Sequence, residues 1–315
     1  MAFMASPPTL LCVLFSYFSF SAAYDNQQRG HPPQPVTKRS TGYYDPSTNG
    51  GSWLTVVANT YPEGLGEPIN AVILGTSDSR VLKDQQTDGG LRNYFLSFDM
   101  AGECLGQHSG SDQGANLGDG NGVLNETAVI RYDYGDASIG TCQETVEGGN
   151  HFRYWVQNGG DADSGAIFMA VSYEKPVSEE HDIIFNGYNL ARDWLVGNAT
   201  AQSSIIPTLN LTNQSSYSGQ SSYGGYVYYT QVNYVSGLVP NTSDGINHYL
   251  TVGGDGVNAA DGLVAMWTVS VLEAPAGSSS SAPRTLSWLP TPTTMLIGVL
   301  VAGLSLPLVS SLDLL

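Results

Sequence analysis

The chain has 315 residues and a formal net charge of −17, from 11 basic and 28 acidic residues. So few cations exclude nucleic-acid binding, which depends on basic residues neutralising phosphates, and direct docking onto anionic lipid headgroups. With 37 Gly, 18 Tyr and only 12% charged residues, the composition suits an extracellular, β-rich protein.

Residues 1–23 read as a signal peptide. The apolar run from Leu10 to Phe20 is followed by small residues at Ser21 and Ala23, which fit a cleavage site after Ala23. The run is too short for a bilayer, which needs roughly 20 apolar residues. Residues 24–43 are polar and Pro-rich, a disordered linker or a pro-segment; the dibasic pair Lys38–Arg39 fits cleavage as well as solvation.

Trp53 to Ala58 and Ile69 to Leu74 are β-branched and apolar, and are expected as strands, the second buried. A helix should follow, because Leu91, Tyr94, Phe95 and Phe98 recur at i, i+3, i+4 and i+7; Asp88 would cap its start and Gly102 its end. Gly106 to Gly122 is a loop rich in oxygen donors (Asp112, Asn116, Asp119, Asn121). It lacks the EF-hand spacing, so turns rather than calcium account for it. Ala128 to Tyr132 is a short strand. His151 to Val156 and Ala166 to Tyr173 form a hairpin across a Gly/Asp-rich connection. Asp182 to Phe185 is a further short strand, and Leu190 to Leu195 a short amphipathic helix. Beyond residue 200, Gly225 to Tyr234, Tyr249 to Val252 and Leu263 to Leu272 read as strands. The Tyr-rich surface is either ordinary sheet packing or a carbohydrate-stacking face. The fold class is therefore α+β, a mixed, mostly antiparallel sheet with a few short helices. Residues 44–200 form an α+β part, and a β-rich segment, 201–275, completes the same domain.

At the far end a Ser/Pro/Thr-rich spacer, 276–294, precedes an apolar tail, 295–315. Small residues, spacer and apolar tail are the parts of a glycosylphosphatidylinositol attachment signal, with Gly277, Ser278, Ser279 and Ser280 as candidate attachment residues. The competing reading is a type I transmembrane helix, but no basic residue follows Arg284 to mark a cytoplasmic side.

Cys12 leaves with the signal peptide, so Cys104 and Cys142 are expected to form one disulfide in an oxidising compartment. Five N-x-[ST] sequons, at Asn125, Asn198, Asn210, Asn213 and Asn241, fit export and mark exposed loops. Two Cys and scattered His lack metal-ligand spacing, so no metal and no cofactor are expected.

The sequence contains no GxSxG, HExxH or GxxxxGK[ST]. The stretch His151–Trp155 stands out. Strand alternation puts His151, Arg153 and Trp155 on one face and Phe152, Tyr154 and Val156 on the other. Ser172 on the neighbouring strand, with His181 and Arg192 beyond it, would complete a polar cluster that could take a small anionic ligand or a cell-wall glycan. Glu174 and Asp182 are at hand to neutralise it, and Arg192–Asp193 reads as a helix salt bridge of little worth.

His-Phe-Arg-Tyr-Trp, then Ala166 to Glu174, His181-Asp-Ile-Ile and Tyr188 to Leu195, together with Pro68 to Ser77, resemble the LssY C-terminal-like domain over about residues 67–200 of a fungal-type secreted protein. The resemblance implies recurring positions at His151, Arg153, Ser172, His181, Arg192 and Asp193, and no established reaction. The expectation is a secreted, N-glycosylated cell-surface or cell-wall protein held at the membrane by a C-terminal lipid or helix. The rival is an extracellular hydrolase or a binding module using the His/Arg/Ser cluster.

Overall fold

The computed structural model describes residues 42–108, 110–202, 206 and 208–277. The signal peptide, Lys38–Arg39, Ser278 to Ser280 and the apolar tail lie outside the described residues. Gly277 is the last of them and is exposed.

In chain order the elements are β1 (Val56–Val57), β2 (Ala71–Ile73), α1 (Leu91–Leu96), β3 (Met100–Gly102), β4 (Gln113–Asn116), β5 (Val123–Asn125), β6 (Ala128–Tyr132) and α2 (Gly140–Glu147). The long hairpin β7 (Gly149–Gly159) and β8 (Ala162–Glu174) comes next, then α3 (Gly187–Ala199), β9 (Ser216–Tyr223), β10 (Tyr226–Thr242), α4 (Tyr249–Val252) and β11 (Ala260–Glu273). Eight strands form one sheet in the order β3-β6-β7-β8-β2-β11-β10-β9, and β1, β4 and β5 form a second, three-stranded sheet. The pairings between these strands are antiparallel except that of β2 with β11. The protein is therefore α+β with a mostly antiparallel sheet. Strands on either side of residue 200 share the large sheet through β2 and β11.

Alternation along the central strands feeds two apolar layers, one on each face of the large sheet. Phe152, Tyr154, Ile167, Met169 and Val171 pack with α1 and α3, whose Leu91, Tyr94, Phe95, Ala191 and Leu195 face them. Trp155, Ala166, Phe168 and Ala170 point the other way, toward Trp53, Ala115 and Leu117 beside the small sheet. Three tyrosines of β10, Tyr226, Tyr228 and Tyr234, are buried in the first layer, so packing rather than an open stacking face accounts for them, while Tyr229 is half-buried.

Several local expectations are corrected. α1 ends at Leu96, Asp88 sits in a left-handed turn without capping, and Gly102 closes a strand. The helical spacing to Phe98 persists because one turn beyond the helix still faces the same layer. The Trp53–Ala58 strand shrinks to Val56–Val57 and the Leu54 bridge to Pro68. Asp182–Phe185 makes only the Ile183 bridge to Glu174. Tyr249–Val252 is a single helical turn, closed by Thr251 and Val252 N–H donating to the His248 carbonyl; four apolar residues carry too little periodicity to separate the two conformations. The Gly/Asp loop is built from turns, with Asn116 accepting from the Gly118 N–H and Asp119 from that of Asn121, and it contributes β4. Asn125, Asn210, Asn213 and Asn241 are exposed as expected, but Asn125 and Asn241 lie on strands β5 and β10 rather than in loops. Asn198 instead lies in α3, and the Thr200 of its sequon is buried with its hydroxyl donating to the Val196 carbonyl.

Candidate functional site

The register of three adjacent strands builds the site. Arg131 of β6 lies opposite His151 of β7, and His151 opposite Ser172 of β8, so the three form a row across one face of the sheet. Glu174, two residues on from Ser172, shares that face. A fourth element brings in an acid: α2, a helix not expected from the sequence, projects Glu144 onto the row, and Cys142 on the same helix is disulfide-bonded to Cys104 with Cα atoms 4.5 Å apart. The expected disulfide is thus present, and it fixes the helix that carries Glu144.

Arg131 Nη1 donates to Glu144 Oε2 at 2.8 Å and to Glu174 Oε2 at 3.2 Å, and its Nε lies 3.9 Å from Glu103 Oε1. His151 Nε2 is 3.2 Å from Ser172 Oγ and 3.5 Å from Glu174 Oε1. His181 Nδ1 is 3.5 Å from Glu174 Oε2 at the outer edge of the cluster. Glu144 is 0% and His151 1% exposed. Burial disfavours both charged forms. It raises the Glu144 carboxyl to about 7, with the Arg131 charge pulling the other way, and lowers the His151 imidazole to about 3 against the attraction of Glu174. Burial would also raise Glu174, but its cationic neighbours bring it below the ordinary value. Those neighbours are His151 first, then Arg131, His181 and Arg153.

Of the expected cluster, the structure brings His151, Ser172 and His181 around Glu174, one of the two acids, with Asp182, that the sequence offered as neutralisers. Asp182 does not serve the cluster; it accepts from His248 at 2.7 Å and from Thr251 at 3.0 Å. Arg153 shares the sheet face but pairs with Glu126, Nε to Oε1 at 3.0 Å, and Glu126 in turn accepts from the Gln113 N–H. Arg192 belongs to the other face. It is fully buried, donates to Asp193 at 2.7 and 3.0 Å and to Asp261 at 2.8 and 2.8 Å, and reaches the Leu263 carbonyl at 2.6 Å. Its guanidinium also lies over the Tyr234 ring. Burial acts against its charge, yet the two aspartates outweigh that and raise its pKa well above the ordinary value. Arg192–Asp193 is therefore a buried anchor of α3 against β11, not a surface pair. Arg131, Glu144, Glu103 and Glu126 were missed. The one signal for Arg131 was a charge inside the apolar run Ala128 to Tyr132.

Ser172, His151 and Glu174 have the residue types of a hydrolytic triad without its geometry. Such a triad needs serine and carboxylate on opposite imidazole nitrogens; here both face Nε2, while Nδ1 has no hydrogen-bond partner and Ser172 is completely buried. A charge-neutralising cluster of this kind also differs from an anion site, since Arg131, Arg153 and Arg192 each face carboxylates. Two sets of side chains bring metal-ligating atoms within 4.8 Å of one another: Glu144, His151 and Glu174 in the cluster, and His108, Asp112 and Glu126 near the surface. No helix among the described residues is long and apolar enough to cross a membrane. Compared with family models, curated proteins and solved structures, the chain matches none.

Proposed function

We propose that this protein is an exported, N-glycosylated cell-surface or cell-wall protein of non-catalytic type, held to the membrane by a C-terminal glycolipid. The observation that carries this reading is the Cys104–Cys142 disulfide, a bond typical of oxidising compartments. It belongs to a fold on which four sequon asparagines, Asn125, Asn210, Asn213 and Asn241, are exposed. The non-catalytic part rests on Ser172 and His151, whose chemistry is enclosed in a buried cluster. Residues 67–200 are proposed as an LssY C-terminal-like domain on the motifs quoted above, and four of the matched positions, His151, Arg153, Ser172 and His181, stand on or beside one face of its sheet.

Expression of the full chain in a eukaryotic secretory host tests this. Phosphatidylinositol-specific phospholipase should release the protein from cells, and peptide N-glycosidase should then raise its mobility in steps that Asn→Gln changes at the four exposed sequons remove one at a time. Retention on the membrane with residues 295–315 recovered by mass spectrometry would replace the lipid with a transmembrane helix. A protein unchanged by both enzymes and found inside the cell would overturn the reading.

A further inference from the structure

We infer that Glu144, His151 and Glu174 form a binding site for one divalent first-row cation of the zinc type. The three residues come from α2, β7 and β8, and offer ligand atoms within 4.8 Å of one another. A second observation points to a ligand. The described residues include six buried side-chain polar atoms without a hydrogen-bond partner, and four of them, Arg131 Nε, Glu144 Oε1, His151 Nδ1 and His181 Nδ1, belong to this one cluster. A cation cannot satisfy Arg131 Nε or, with Nε2 as ligand, His151 Nδ1, so the pointer is Glu144 Oε1, an unpartnered acceptor on a fully buried side chain, with His181 Nδ1 in the same cluster. Buried polar groups are nearly always satisfied, and this oxygen calls for a bound species.

The arrangement selects a cation. Three carboxylates, Glu103, Glu144 and Glu174, surround one buried guanidinium. Arg131 engages the Oε2 oxygens of Glu144 and Glu174, which leaves Glu144 Oε1 and Glu174 Oε1 as the ligand oxygens. Hydrogen bonds from an outer group orient metal ligands in this way. His151 Nε2 lies 3.5 Å from Glu174 Oε1, close to the roughly 3.3 Å between neighbouring ligands of a tetrahedral ion with bonds of about 2.0–2.1 Å. An imidazole nitrogen beside two carboxylates suits zinc-type ions and disfavours calcium, which takes six to eight oxygens. The fourth position falls to water or to His181, whose side chain stands 33% exposed at the outer edge and whose loop holds Glu180 and His181 in left-handed backbone. The disulfide contributes by fixing α2, and with it Glu144.

The mature, disulfide-bonded protein is dialysed against chelator, and zinc and cobalt(II) are titrated in, with calorimetry, metal analysis and thermal unfolding as readouts. The expected result is one equivalent bound, a zinc-dependent rise in melting temperature, and a cobalt visible spectrum of low-coordinate type. Glu144→Gln retains an oxygen for Arg131 while weakening the ligand, and should reduce affinity at least roughly tenfold, as His151→Gln should. His108→Ala, in the surface set, should leave the stoichiometry and the melting shift unchanged. A folded wild-type protein that takes up no metal and shows no zinc-dependent shift would sink the proposal and leave buried water as the occupant. Binding lost in His108→Ala but kept in Glu144→Gln would overturn it equally. Neither of these outcomes depends on His151→Gln, so the test survives if that variant misfolds.

Discussion

Arg192 illustrates how far a residue's worth depends on its surroundings. On a helix surface the Arg192–Asp193 pair would contribute a fraction of a kcal/mol. Here the guanidinium is wholly buried with two aspartates and a carbonyl, and removing it strands Asp193, which also accepts from Tyr234. Arg192→Ala is expected to cost about 3–5 kcal/mol in denaturant unfolding, and a loss below about 1 kcal/mol would show that the aspartates find other partners. Arg153→Ala deprives the buried Glu126 carboxylate of its cation. It should lower stability by more than about 1 kcal/mol. An unaltered melting temperature accompanied by lost binding of an anionic ligand would return Arg153 to a ligand-binding role. That His151 and Arg153 share a face was legible from alternation alone. That Arg153 meets Glu126, and that Glu144 joins the row beside His151 and Glu174, was not, because Glu126 and Glu144 lie on segments whose approach local sequence does not encode.

Among the elements, the β7–β8 hairpin was legible, since long alternating runs with Gly and Asp between them determine both pairing and facing. α2 was not, because Gly140 to Glu147 is polar, short and without an apolar stripe. Its place is set by contacts: a Cβ on Gly140 would lie 1.4 Å from the Asp133 carbonyl oxygen, so the helix start packs directly on backbone. Gly140→Ala should therefore displace α2 from the sheet, lowering stability by about 1–3 kcal/mol and loosening Glu144 and Cys142 together. Faster hydrogen exchange confined to 136–148 would report it, and normal protection there would show that the backbone absorbs the methyl. The opposite failure, at Tyr249–Val252, shows that a short apolar run takes whatever conformation its neighbours leave open.

At the scale of the whole molecule, the large sheet is joined by β2, three residues long, which pairs with β8 on one side and β11 on the other. Asn70 extends that junction: its side chain accepts from the Val171 N–H and donates to the carbonyls of Val171 and Tyr188. The disulfide spans a separation of 38 residues. Reducing it, or the double change Cys104→Ser with Cys142→Ser, should lower stability by about 4 kcal/mol on the chain-entropy account. A change under about 1 kcal/mol would show that the loop is already ordered by its packing.

The sequence by itself determined the alternating faces of the long strands, the pairing of the two cysteines, and the acidic, sequon-bearing character of the chain, all of which follow from local periodicity, residue count or composition. Only the tertiary structure decided the order of the eight strands, the parallel junction of β2 with β11, and the meeting of Arg131, Glu144, His151 and Glu174. These depend on contacts between residues far apart in the chain. A carboxylate reads as solvated in sequence, and only burial against a guanidinium makes it part of a site.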